Sequence, residues 1–107
     1  MKMDEYQHLA SKYRCGEPIV LFAALGVAGE AGEVADKVKK AIRDNKGNFD
    51  DKAFKESVKY ELGDVLWYVA ALAEDLGFTL SEVAQSNISK LEDRRKRGVI
   101  HGSGDKR

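Results

Sequence analysis

The chain has 107 residues, one domain's worth, of which 43% are apolar and 34% charged. Eighteen Lys and Arg balance eighteen Asp and Glu, so overall charge points neither to a nucleic-acid polymer nor to a membrane surface as partner. No apolar run approaches the ~20 residues that span a bilayer, the polar stretch Met1 to Tyr6 lacks a signal-peptide core, and lone Cys15 allows no internal disulfide, which makes the cytoplasm the expected compartment.

Residues 4–14 read as a first helix, with Tyr6, Leu9, Ala10 and Tyr13 on one face and Asp4 placed to cap its start. Gly16-Glu17-Pro18 breaks it, and Pro18 suits the opening of a second helix to about Arg43. Ala24, Val27, Ala31, Val34, Val38 and Ala41 form that helix's apolar stripe. Gly26, Gly29 and Gly32 recur every three residues within it, and each glycine costs a helix interior ~1 kcal/mol relative to alanine. Their spacing predicts close approach by a partner helix, or a kink.

The run Asp44 to Asn48 is turn chemistry. Asp50 or Asp51 can cap a third helix that reaches about Leu76, with Leu62, Val65, Val69, Leu72 and Leu76 as its stripe and Gly77 as its stop. Thr79 and Glu82 fit a capping box for a fourth helix, which carries Leu80, Val83, Ala84, Ile88 and Leu91 inward and fades near Arg97 or Gly98. The expected fold is all-α, a single-domain four-helix bundle over residues 1–97. Residues 98–107 make a glycine-containing tail, read as a mobile flap.

Two acid pairs stand out in this scheme. Glu30 and Glu33 are three apart on the second helix, as are Glu61 and Asp64 on the third, so each pair shares a face. A short loop makes the two helices antiparallel neighbours, and four carboxylates then meet. Like charges in a poorly solvated place repel, and a hard divalent cation removes the problem. Carboxylates suit Mg²⁺, with Mn²⁺ able to substitute, and such ions assist attack of water on phosphorus. A carboxylate off the metal can orient that water as general base. Lys37 and Tyr68 continue the two acidic faces by one turn as candidate substrate contacts, while Asn87, Lys90 and Arg94 align on the fourth helix as candidate phosphate contacts. Trp67 and Tyr68 are candidates for stacking on a base.

These residues resemble the MazG-like all-α nucleoside triphosphate pyrophosphohydrolases. The likeness rests on Glu30-x-x-Glu33 within Ala24 to Ala35, on Glu61-x-x-Asp64 followed by Trp67 and Tyr68, and on Asn87, Lys90 and Arg94. It implies hydrolysis of (d)NTPs to the monophosphate and pyrophosphate, with Mg²⁺ held by Glu30, Glu33, Glu61 and Asp64. It further implies substrate contacts from Tyr68, Asn87, Lys90 and Arg94, assembly as a homodimer or tetramer with sites near the interface, and a role in nucleotide-pool house-cleaning. The base preferred is not written in any motif. Two other readings compete. A di-iron bundle normally needs paired Glu-x-x-His motifs, and only Glu5-x-x-His8 is present. A non-catalytic dimeric helical module explains the apolar stripes but gives no reason for four inward acids.

Overall fold

In the computed structural model, which describes residues 1–15 and 20–107, helix α1 spans Met3–Ser11, α2 Val20–Asn45, α3 Lys52–Asp75 and α4 Leu80–Lys96. No strand occurs among the described residues, so the protein is all-α and forms one small domain. The expected break at Gly16 and Glu17, and Pro18 as a helix opener, lie outside the described residues.

Helices α2 and α3 form an antiparallel hairpin, and α1 and α4 both pack on α3 without meeting α2. Most of the expected termini are made as the sequence chemistry dictates. The Asp51 carboxylate accepts from the Phe54 N–H at 2.9 Å, and Gly77, at φ +82°, ends α3. At the start of α4, Thr79 Oγ1 accepts from the Glu82 N–H while Glu82 accepts from the Thr79 N–H, a complete capping box.

Asp4 departs from expectation. Helix α1 begins at Met3 and stops at Ser11, and the Asp4 carboxylate serves another helix, accepting from the Ser81 N–H at 2.9 Å. Gln7 acts beside it. Its Nε2 donates to the carbonyls of Ala70 and Phe78, and its Oε1 accepts from the Leu80 N–H. One amide thus ties α1 to α3 and to the first turn of α4, satisfying backbone groups that a helix start leaves unpaired. The far end of α1 is held by Arg14, whose guanidinium forks onto both Asp75 oxygens at 2.7 and 3.0 Å and also reaches the Ala71 carbonyl. The Asp75 side chain is almost fully enclosed.

That fork holds the Asp75 carboxyl below its ordinary range. A depressed acid stabilises the fold above its unfolded pKa and loses that contribution as pH falls through the folded value. Arg14→Ala should therefore lower Tm at pH 7 by about 5 °C or more, and the gap to wild type should close below about pH 4. Equal melting curves at pH 7 would show that the pair contributes nothing.

The core itself is thin. Its buried apolar side chains among the described residues are Ala10, Ala23, Ala41, Ala70, Ala71, Ala73 and Leu80. The expected stripes hold in part. Val27, Val34 and Val38 are half-buried on α2, but Ala24 and Ala31 face outward. Leu62 of α3, Leu76 just past its end, and Val83, Ile88 and Leu91 of α4 are at least 40% exposed. The protomer exposes 8035 Å², against about 5,900 Å² for a folded monomer of its mass. Its radius of gyration is 16.6 Å, where about 13 Å is usual for this length.

Candidate metal centre

Helices α2 and α3 approach closely where Gly26 meets Tyr68. A Cβ on Gly26 would lie 2.2 Å from Tyr68 Cδ1, so only glycine lets the tyrosine ring lie against the α2 backbone. The close approach expected of the glycines occurs here, whereas Gly29 and Gly32 border open space. Tyr68 is wedged further by Phe22, with ring centroids 6.4 Å apart, and by Trp67 in an edge-on contact at 4.9 Å.

Within two turns of Tyr68, the acids converge. Glu30, Glu61 and Asp64 each offer a carboxylate oxygen, and these oxygens lie within 4.8 Å of one another. Glu30 and Glu61 are half-buried and Asp64 is exposed. Burial, then the charges of Asp64, Glu61 and Glu33, push the Glu30 carboxyl above its ordinary value. Glu33 is exposed on the next turn and stands outside the three-oxygen group. Lys37 Nζ sits 3.8 Å from Glu61 Oε1, offsetting part of the charge and leaving the cluster net negative. An all-oxygen, all-carboxylate donor set that repels itself suits a hard divalent ion.

Tyr6 is a neighbour that the sequence reading placed only in the first helix's apolar face. Burial and the Asp64 charge raise its phenol pKa, so α1 also contributes a polar group near the acids. Beyond Tyr68 lies a cavity of about 210 Å³ lined by Tyr13, Arg14, Phe22, Trp67 and Tyr68 among others.

The fourth-helix candidates are placed differently. Asn87 is exposed, and α4 makes no contact with α2, so this helix does not pack beside the Glu30 turn of its own chain. Lys90 Nζ and Arg94 Nη2 both approach Asp105 Oδ1 at 3.5 Å. Arg94 is buried by the tail, its Nη2 donating to the carbonyls of Gly104 and Asp105. Arg107 staples the same loop by donating to the carbonyls of Val99, Ile100 and Gly104. The tail thus folds back on the last turns of α4. Nothing in the composition of Gly98 to Arg107 announces this, because arginine-to-carbonyl bonds leave no periodic signal.

Comparison with known proteins agrees with this architecture. The model of the MazG nucleotide pyrophosphohydrolase domain matches residues 22–99, which include both acid pairs and α4. The chain is 50% identical over 86 residues to the Gene 37 protein of Mycobacterium phage L5, covering 80% of this chain and 75% of that one. No solved structure matches it. With a family match across nearly three quarters of its length, the chain belongs to the MazG nucleotide pyrophosphohydrolase family.

Proposed function

We propose that the protein hydrolyses nucleoside triphosphates to the monophosphate and pyrophosphate, and that it requires Mg²⁺. The observation that carries this reading is the convergence of Glu30, Glu61 and Asp64 within two turns of Tyr68 and its aromatic neighbours, in a chain of this family. Glu30, Glu61 and Asp64 would hold the ion. When bound, Mg²⁺ supplies charge neutralisation at the phosphoryl oxygens and makes water more acidic. Glu33, outside the three-oxygen group, orients the attacking water and takes its proton. The water oxygen bonds to the α-phosphorus, the bond from that phosphorus to the α–β bridging oxygen breaks, and pyrophosphate leaves with the electron pair. Lys37 steadies Glu61. Trp67 and Tyr68 give the base a stacking surface beside the cavity.

Asn87, Lys90 and Arg94 sit on a helix that stands off α2, so in this reading they serve the phosphates across a subunit interface in a homodimer or tetramer. The enlarged surface and exposed apolar faces of α4 support assembly. House-cleaning of the nucleotide pool is the role that fits a small hydrolase of this kind.

The test is product analysis. Purified protein is incubated with each canonical NTP and dNTP, with dUTP and with oxidised analogues, with and without Mg²⁺, and the products are separated by chromatography. Monophosphate and pyrophosphate formed only with Mg²⁺ is the expected result, and the ranking of rates names the substrate. Diphosphate with orthophosphate would place the cut elsewhere. No turnover of any nucleotide would leave a non-catalytic helical module.

A further inference from the structure

The tail brings a carboxylate to Lys90 and Arg94, which pair with no other acid among the described residues. Asp105 Oδ1 lies 3.5 Å from both Lys90 Nζ and Arg94 Nη2, beyond good hydrogen-bond length, and the Asp105 side chain is 90% exposed. The firm attachments of the tail are elsewhere, in the carbonyls gathered by Arg94 and Arg107. Arg94 is also not fully matched. Its side chain is only 6% exposed, yet its Nε has no hydrogen-bond partner. A buried guanidinium donor left unpaired is costly. A carboxylate held at arm's length does not reach it, whereas a phosphate with three equivalent oxygens can meet Nε and Nη2 together.

We infer that the tail is a displaceable strap: the Asp105 carboxylate holds the place of a substrate phosphate group on Lys90 and Arg94, and a pyrophosphate-bearing ligand binds there by lifting the tail. The identity of the anion rests on the pyrophosphohydrolase reading; the competition does not. A carboxylate on the same two cations repels an incoming anion and offsets part of their charge, so filling the site and closing the strap compete. Gly104, at φ +81°, supplies the turn that brings Asp105 back to α4, a conformation that a side chain resists.

The experiment titrates the full-length chain with inorganic pyrophosphate, without metal, by calorimetry. Asp105→Asn should tighten binding by about three- to tenfold. Gly104→Ala should act in the same direction by loosening the turn. The gain should vanish in the Lys90→Ala, Asp105→Asn double variant, since the two side chains act on one site. In amide NMR spectra of wild type, the Gly102 and Gly104 signals should move to disordered positions as pyrophosphate saturates. Unchanged or weaker binding in Asp105→Asn, or glycine signals that stay put at saturation, would overturn the strap. A chain whose tail is released by pyrophosphate but which cleaves no triphosphate keeps the strap and loses the proposed reaction. Hydrolysis with a fixed tail does the reverse.

Discussion

Glu30→Ala is expected to abolish Mg²⁺-dependent triphosphate hydrolysis, with a loss of at least ~10²- to 10³-fold, while the helical circular-dichroism signal stays that of wild type. Asp64→Ala should match it. Glu30, like Glu61, is half-buried, and burial, then the charges of Asp64, Glu61 and Glu33, raise its pKa. Its charge therefore opposes folding when no cation is present. An isosteric Glu30→Gln change should leave the metal-free protein at least as stable as wild type, and in the same step remove the stabilisation that Mg²⁺ gives. In wild type that stabilisation follows from mass action: an ion at a hundred times its dissociation constant adds about 2.7 kcal/mol to the native state. Thermal melts of both proteins over a Mg²⁺ series separate the two effects. Wild-type turnover in Glu30→Ala, or an equal Mg²⁺ shift in Glu30→Gln, would remove Glu30 from the metal site.

Why one acid of the first pair joins the group and the other stays outside is a matter of helix rotation. Residues three apart differ by about 60° around the axis, so the sequence puts Glu30 and Glu33 on one side of α2 without saying which points at α3. In the structure Ala23, Gly26 and Glu30 face inward, with Gly26 against the Tyr68 ring, and Ala24 and Ala31 face out. Helix ends, by contrast, were readable because their chemistry is local: Asp51, Gly77, Thr79 and Glu82 each act within a few residues. Gln7, Asp4 and Arg14 were not, since their partners lie 57 to 77 residues away. A polar side chain on a short helix carries no mark of such a partner. The tail was hidden for a like reason, its order coming from two arginines that collect backbone carbonyls.

The second large effect is expected from the outer face of α4. Ile88 and Leu91 are 50% and 40% exposed in the protomer, on a helix whose helical neighbours are α1 and α3 and whose last turns are covered by the tail. Large apolar side chains in such numbers, with alanines forming most of the core, leave the chain short of buried surface. The excess of roughly 2,000 Å² over a folded monomer of this mass falls within the range of obligate interfaces. Wild type should therefore sediment as a dimer or larger species at micromolar concentration. Ile88→Asp with Leu91→Asp places two charges in the contact, where desolvation without a partner is prohibitive, and the variant should sediment near the 11.9 kDa of one chain. Hydrolysis should fall with it by at least about tenfold, because Asn87 and Lys90 are then carried away from the acids they are proposed to serve. A fully active monomeric variant would show that each chain holds a complete site. A monomeric wild type would instead leave the apolar faces of α4 to another partner, and Lys90 would have to reach the phosphates by movement of α4 itself.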